Sequence, residues 1–486
     1  MEFDAHYDVV VIGGGGSGLS AAVQAAKNGN TCAVLEKEVT TGGSSSFAEG
    51  HAAFESDEQE KRGIHVSKEQ AFNTYMDYSH WRAKPALVSK FVHNADKTIV
   101  KMREEGAVYE SVEVTAPDQP GELVTWHLPE GEVARVIELL EADAVRRGVD
   151  LFLSTSAIEI LKQDGKIIGV KAVDANNEEV LLGAKAVVVA TGGYANNPEM
   201  MNKYGKHNIG ERVINVGGAG NTGDGIRMVL NAGGALNSNI GTRLLFPFMR
   251  DKTITSHTNA AGFQPYFWVD KDAKRFVNEQ IGLNFGNAGD VVASLPECMF
   301  WSVLGQEAID HLVNVGNEVG LGIYVRNYEK LVNLPTEIAA DAADAARTNV
   351  VSADTIEELA VKMGVDGATL KSQVDEYNKI CDLGVDDKFY KEKKYLYPIR
   401  KAPFYAIKME TGIMITMGAL EIDECMRSLD ENGDPIPGLY VVGCDAGGMY
   451  GESYALPVPG SANGFALTSG WLAADDISAR INSKEL

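Results

Sequence analysis

The chain has 486 residues, of which 45% are hydrophobic and 23% charged, with 44 basic against 68 acidic side chains and a net charge of −24. That length exceeds one simple core and implies two domains. The acidic balance excludes nucleic acid and anionic membrane as partners, because both repel such a surface. The five cysteines (Cys32, Cys298, Cys381, Cys425 and Cys444) are scattered and form no Cys-x-x-Cys. This excludes a sequence-local iron–sulfur, zinc or c-type haem motif, and no metal site is expected. No apolar run of 18 residues exists and no charged-plus-apolar leader precedes the first strand, so a cytoplasmic protein is expected.

The chain begins with an apolar strand, Asp8–Ile12, that enters Gly13-Gly-Gly15-Gly-Ser17-Gly18. A small-residue helix follows over Leu19–Asn28, then a second strand, Thr31–Leu35, ending in Glu36. Gly13 permits the turn, Gly15 admits a pyrophosphate close to the backbone, and Gly18 lets helix and strand pack. The free N–H groups and positive dipole end of the helix face the phosphates. Glu36 stands where an acid accepts hydrogen bonds from ribose hydroxyls. Strand, glycines, helix, strand and acid in this order predict an ADP-containing dinucleotide.

A second glycine loop follows at Thr41-Gly42-Gly43-Ser44-Ser45-Ser46. Apolar spacing of three and four predicts helices within 68–106 and 131–148. Val149–Leu153 reads as a strand, 156–182 as a meander of short strands, and Ala186–Ala190 as a buried strand ending in Thr191-Gly192-Gly193. Gly218-Ala-Gly220-x-x-Gly223 formally repeats the glycine pattern, but its preceding strand is poor and no acid follows a second strand, so no nicotinamide domain is expected. Residues 240–415 are richer in aromatics, with a Gly/Asn-rich stretch at Gly282–Gly289 and helices expected at 300–313 and 336–348. Asp354-Thr-Ile-Glu357 reads as a helix start with Asp354 as N-cap, followed by helices at 355–363 and 367–381. The chain closes with a strand (Leu439–Val442), a glycine loop and a helix over 462–481.

These pieces predict an α/β protein. A Rossmann-like nucleotide domain is built from both chain ends (1–240 and 416–486), with an α+β capping domain (241–415) inserted between them. The ordered set Gly13–Gly18, Glu36-Lys37, Gly42-Gly43-x-Ser45, Ala190-Thr-Gly-Gly193, Thr222-Gly-Asp-Gly225, Lys274-Arg-Phe-Val-Asn-Glu279, Thr416-Met-Gly418 and Gly438-Leu-Tyr-x-x-Gly443 resembles the soluble fumarate reductase and 3-ketosteroid dehydrogenase flavoproteins. The resemblance implies FAD in an extended form, a cap over the flavin, and hydride transfer at flavin N5. It carries FAD-binding roles to Gly13, Gly15, Ser17, Gly18, Glu36, Lys37, Gly42, Gly43, Ser44, Ser45, Gly50, Ala157, Ala190, Thr191, Gly192, Asn221, Thr222, Asp224, Gly443, Asp445, Ser461 and Ala462. Asp445 takes the place of an acid beside the ribityl chain. The last helix, opened by Ser461-Ala462-Asn463, points its N-terminus at the pyrimidine end of the flavin. Membrane-bound relatives attach flavin through a histidine where this chain has Ser44, so non-covalent FAD is expected.

The resemblance breaks at the substrate. Soluble fumarate reductases clamp a dicarboxylate with histidines and arginines, and those positions fall at Phe246-Pro247, Leu283 or Asn284, Ile415 and Tyr454. Burying two carboxylates without cations costs several kcal/mol per ion, which disfavours fumarate. An apolar or phenolic substrate is expected, with Phe246, Leu283, Phe285, Ile415 and Tyr450 among the lining residues. Gly451-Glu-Ser-Tyr454, followed by Pro459-Gly460, resembles the tyrosine-bearing loop of 3-ketosteroid dehydrogenases, with a few residues inserted. Tyr454 is the expected proton donor and Glu452 a second acid. Size, layout and the lack of electron-carrying modules resemble the tetrahydrodaidzein reductases, which convert an isoflavanol to equol by reductive loss of hydroxyl. The alternatives are a 3-ketosteroid dehydrogenase, another enone or aryl-alkene reductase, or an electron-transfer subunit of a complex. The electron donor is expected to be NAD(P)H or a carrier protein.

Overall fold

The computed structural model describes residues 2–205, 209–344 and 346–486. Its first sheet is centred on Ala5–Ile12, which pairs in parallel with Cys32–Leu35 on one side and Glu179–Val189 on the other. Asp150–Phe152 extends it beyond Cys32–Leu35, and Pro435–Val441 extends it beyond Glu179–Val189. The strand near the C-terminus thus lies in the same sheet as the N-terminal one. Val9, Val10 and Val11 are fully buried, as expected of a parallel sheet covered on both faces. The helix Gly16–Lys27 and the C-terminal helix Ser461–Asn482 pack together here. Glycines permit the contact: a Cβ at Gly470 would lie 2.2 Å from the Ser17 carbonyl oxygen.

The expected meander and the strand at 186–190 share one continuous strand, Glu179–Val189. Its first half pairs antiparallel with Lys166–Val173 and its second half parallel with Ala5–Ile12. Nothing between Leu182 and Ala186 breaks the extended backbone, so the hairpin and the sheet are joined without a turn.

The second sheet is organised by the 14-residue strand Phe404–Met417. It pairs with Thr242–Phe248, Met299–Leu304, Val350–Ala353 and Ile214–Asn215. Its Ile413, Ile415 and Met417 enter the core of the first sheet, while Ile407 and Met409 pack in a separate core with Trp268 and Phe300. One strand therefore fixes the cap against the nucleotide half. A third, small sheet joins His51–Ala52, Trp126–Pro129 and Tyr109–Glu113.

Two expectations in this middle region are corrected. The helix expected over 300–313 begins only at Gln306, and Met299–Leu304 is a strand with every residue buried. An apolar run of that length reads equally as buried strand or buried helix, and Gly305 separates the two elements. The N-cap of the helix Ile356–Met363 is Thr355, whose hydroxyl accepts the Glu358 N–H, one residue after the Asp354 expected. The Gly/Asn-rich stretch, for which no element was expected, leads into the helix Phe285–Ser294, capped by Asn284. Its glycine is needed for contact with the neighbouring strand, since a Cβ at Gly289 would sit 2.2 Å from the Leu245 carbonyl carbon.

Candidate active site

The two glycine loops run side by side, with the Gly42 N–H donating to the Gly14 carbonyl at 2.9 Å. Gly13 has φ of +104°, and a Cβ there would lie 2.4 Å from Ala190 O, so this glycine serves the fold itself. Gly18 is the same case, with Gly13 O 1.9 Å from its added Cβ. Gly15 and Gly43 differ. A Cβ at either would meet no protein atom nearer than 3.7 Å and 3.9 Å respectively. Space is left between the loops, and the helix Gly16–Lys27 opens onto it with no side chain capping its first turn. These features fit a pyrophosphate.

Glu36 is buried, and its carboxylate accepts the Gly14 N–H at 2.7 Å and the Glu38 N–H at 2.8 Å. The Lys37 ammonium donates to Thr222 Oγ1 at 2.7 Å and Asp224 Oδ2 at 2.6 Å. Ser44 Oγ accepts from the Gly218 N–H at 2.9 Å and Asn221 Nδ2 at 2.7 Å. Residues spread over almost two hundred positions therefore close one rim. Ser45 packs against Gly16, and Ala157 lies in the strand Ser156–Gln163 just after Thr155, whose N–H donates to Glu36 O. Asp445 is fully buried beneath the turn after Ala190. Its carboxylate accepts the N–H groups of Thr191, Gly192 and Gly193 at 2.5–3.1 Å and the Thr191 hydroxyl at 2.9 Å. Gly443, at φ +63°, brings this segment against Ser17.

At the other end of the groove the helix Ser461–Asn482 starts after Gly460, also without a side-chain cap. Asn463 Oδ1 is buried and has no hydrogen-bond partner, and Ser461 Oγ is buried beside Tyr454. A helix N-terminus and an unpaired amide oxygen next to Cys444, Ala462 and Ala466 are what a bound heteroaromatic ring with carbonyl and N–H edges satisfies. The residues present fit FAD along the whole groove.

Ser44, Ser45, Gly50, Cys444, Gly460, Ala462 and Asn463 also form one side of a cavity of about 200 Å³. The opposite side comes from the cap: Leu244, Phe246, Phe248, Phe263, Leu283, Phe285, Met414 and Ile415. Phe246 and Phe285 meet edge to face, 6.4 Å between centroids and 90° between planes. Among the described residues no lysine, arginine or histidine lines this cavity. Cys444 is not a nucleophile, because burial, with Asp445 nearby, pushes its thiol up to about 12.

Of the expected lining residues, Phe246, Leu283, Phe285 and Ile415 are in the wall, and Tyr450 is not. Tyr450 stands one layer behind, its ring 5.8 Å from those of both Tyr75 and Tyr454. Tyr454 reaches the wall. Burial raises its pKa, opposed by Ser461 and by the first amides of the last helix, Gly460 to Ala462, which face it. Glu452, expected as a second acid, is exposed on the outside of the same loop and pairs with Arg82. Two residues along from Tyr454 on a tight loop, its side chain points away from the cavity.

The charged residue that does line the cavity is Glu49, which the sequence reading did not select. Its Oε2 accepts the Ile323 N–H from the cap at 2.9 Å. Gly322 makes this approach possible, since a Cβ there would lie 2.1 Å from Glu49 Oε1. No cation among the described residues ion-pairs with it. Burial pushes its pKa up to about 7; the Ile323 N–H and Arg326 oppose this, while Glu132 and Glu113 add to it. A signal was present in the sequence: Glu49 is the sole charged residue between Glu38 and Glu55, just after the second glycine loop.

The small third sheet holds the Glu49 and Tyr454 segments together. The Ala52 N–H donates to Gly460 O at 2.9 Å and the Thr125 hydroxyl to Pro459 O at 3.1 Å. Below them His51 pairs with Tyr109, and His127 with Ser56. Burial lowers the two histidines to about 3 and about 4, so both are neutral struts at pH 7. The cap is docked across the same region, with Arg326 on Glu113 at 2.6 Å, Asn327 Nδ2 on Thr115 O at 2.8 Å, and the Tyr324 hydroxyl on Glu132.

The family model described as FAD binding domain matches residues 8–458. The chain is 36% identical to a vinyl phenol reductase of Lactiplantibacillus plantarum, over 96% of this chain and 94% of the relative. In structure it is similar to the open form of a flavocytochrome c3 fumarate reductase (TM-score 0.78, 22% identity, covering 98% of this chain and 79% of that one). It is equally similar to a 3-ketosteroid Δ1-dehydrogenase from Sterolibacterium denitrificans (TM-score 0.78, 20% identity, 98% and 99%). No helix among the described residues is long and apolar enough to cross a membrane. The chain belongs to the FAD binding domain family and is an FAD-dependent oxidoreductase.

Proposed function

We propose that this oxidoreductase reduces uncharged, phenol-bearing substrates at a carbon conjugated with the ring. The observation that carries the reading is the wall of the cavity: aromatic and aliphatic on the cap side, with one carboxylate and no cation. A dicarboxylate there leaves two buried charges uncompensated and adds repulsion from Glu49. A phenol offers a flat ring for Phe246 and Phe285 and a hydroxyl for a polar partner. The likeness to a vinyl phenol reductase supports the same class. An aryl-alkene of the vinyl phenol type is the first substrate to test. Tetrahydrodaidzein, whose reduction to equol removes a hydroxyl, is the second, and a 3-ketosteroid enone the third.

FAD is held by the glycine loops at its pyrophosphate, by Glu36 at its ribose, and by the first turn of the last helix at its pyrimidine edge. Ser44 makes no covalent link to it, and Lys37, Thr222 and Asp224 close the rim. When bound, FAD supplies hydride at N5. Tyr454 supplies the proton, its hydroxyl kept un-ionised by burial and oriented by Ser461 and the amides of Gly460 to Ala462. The division into 1–240, 241–415 and 416–486 stands as the domain reading. Electrons arrive from NAD(P)H or a carrier protein.

The test is to reduce the purified holoenzyme anaerobically with dithionite, add one substrate, and follow return of the oxidised flavin band. The reading requires fast return with 4-vinylphenol or tetrahydrodaidzein and none with fumarate. Fast return with fumarate alone rejects it. Acid precipitation tests the non-covalent claim: yellow colour belongs in the supernatant, and a yellow pellet rejects it.

A further inference from the structure

The cavity holds one charged, acceptor-only side chain in an otherwise uncharged wall. Glu49 shares that wall with Phe246, Phe285, Trp126 and Tyr454. Its Oε2 is fixed by the Ile323 N–H, and no cation among the described residues neutralises it. A buried carboxylate without a cation is costly, and the fold does not need it as a strut, because the cap loop is already docked on Glu113, Thr115 and Glu132. We propose that Glu49 is the base that takes the proton from a para-hydroxyl on the substrate ring, so that reduction runs through a quinone methide of the substrate. This rests on the reading of the cavity as a phenol site.

The chemistry balances. The phenol O–H bond breaks and its proton goes to Glu49. In a benzylic alcohol the released electron pair pushes through the ring and expels the hydroxyl, which takes a proton from Tyr454 and leaves as water. In a vinyl phenol the same push forms a bond between the terminal carbon and the Tyr454 proton. Either way the substrate becomes a neutral quinone methide with an electrophilic benzylic carbon. Hydride from the reduced cofactor adds there with its electron pair, the ring regains aromaticity as a phenolate, and the phenolate takes its proton back from Glu49. Tyr454 is reprotonated from solvent. The substrate gains two electrons, and the alcohol loses its oxygen as water. A carboxylate near 7 lies closer to a phenol's usual value of about 10 than an ordinary glutamate does, which lowers the cost of the first transfer.

The experiment compares holoenzyme turnover of 4-vinylphenol, 3-vinylphenol and 4-methoxystyrene. A meta-hydroxyl cannot conjugate through to the benzylic carbon, and a methyl ether has no proton to give. Both are expected to turn over at least about 100-fold more slowly than 4-vinylphenol. Comparable rates for all three overturn the role of Glu49 and leave an aryl-alkene reductase standing. Failure of 4-vinylphenol and tetrahydrodaidzein alike overturns the proposed function and this inference with it. Glu49→Gln, which keeps an acceptor for Ile323, is expected to lose about 100-fold in kcat on 4-vinylphenol. A second variant reads binding alone. In the oxidised holoenzyme the preference for 4-ethylphenol over 4-ethylanisole, followed through the flavin spectrum, should fall at least about tenfold in Glu49→Leu. An unchanged preference in folded, yellow protein contradicts the proposal.

Discussion

Glu279 and Glu49 are both carboxylates drawn into the interior, and the fold treats them in opposite ways. Glu279 is fully buried in the cap and completely engaged. Arg275 Nε and Nη2 donate to it at 2.8 and 2.7 Å, and Lys391 Nζ lies 3.1 Å away. Asp386 Oδ2 accepts from the same Arg275 Nη2 at 2.7 Å. Two acids and two cations cancel and tie the segments 275–279 and 386–391 together, which sets the position of Leu283 on the cavity wall. Glu49 has one amide, no cation and a cavity in front of it. A buried charge with every valence satisfied is architecture, and one left open to a cavity is available for chemistry.

The largest effect expected from this contrast is on stability. Removing Glu279 leaves Lys391 without an acid and Arg275 with Asp386 alone, and Glu279→Ala should cost about 3–5 kcal/mol in denaturant unfolding of the holoenzyme. A loss below about 1 kcal/mol breaks the comparison. Next comes Tyr454→Phe, which should lower kcat on 4-vinylphenol by about 100-fold while FAD content and Tm stay near wild type. Full turnover in that variant removes Tyr454 as proton donor.

A smaller effect sharpens the contrast through pH. Glu49 is faced by Glu132 and Glu113, which hold its proton on, and by Arg326, which opposes them. A base is active when ionised, so kcat/KM should fall about tenfold per pH unit below about 7 and level off above it. Stability has the reverse sign. A carboxyl raised from 4.5 to about 7 in the folded state binds more protons folded than unfolded, so its cost to stability grows between those values and is fully present above about 7. Glu49→Gln should therefore raise Tm at pH 8 and leave it unchanged at pH 4. The smallest effect belongs to Glu452, in an exposed pair with Arg82. Glu452→Gln should change stability by less than about 1 kcal/mol and leave turnover unaltered.

How much of this was legible in the sequence follows the same division. The nucleotide half could be read because its motif is local: the glycines from Gly13 to Gly18 and the strand that ends in Glu36 lie close together in sequence, and Gly18 answers Gly13 itself. The cap side was legible where a wall residue sits on a regular strand, as Phe246 and Ile415 do. It was not legible at Glu49, whose surroundings come from Ile323 and Arg326, more than 270 positions away. Glu452 and Tyr450 failed for a related reason. On a tight loop, one residue more or less reverses the direction of a side chain, and spacing alone does not fix it. The Gly/Asn stretch hid a helix because its glycines answer a neighbouring strand rather than a turn.

The most direct test of the central claim, that a cation-free cavity selects a phenol over a dicarboxylate, is inhibition of the oxidised-to-reduced cycle by product-like ligands. Inhibition constants for 4-ethylphenol and succinate would be measured side by side on the same holoenzyme preparation. A cation-free cavity predicts competitive inhibition by 4-ethylphenol and none by succinate at concentrations at least about 100-fold higher, the penalty of one poorly compensated buried charge. Competitive inhibition by succinate at or below the 4-ethylphenol constant would contradict it.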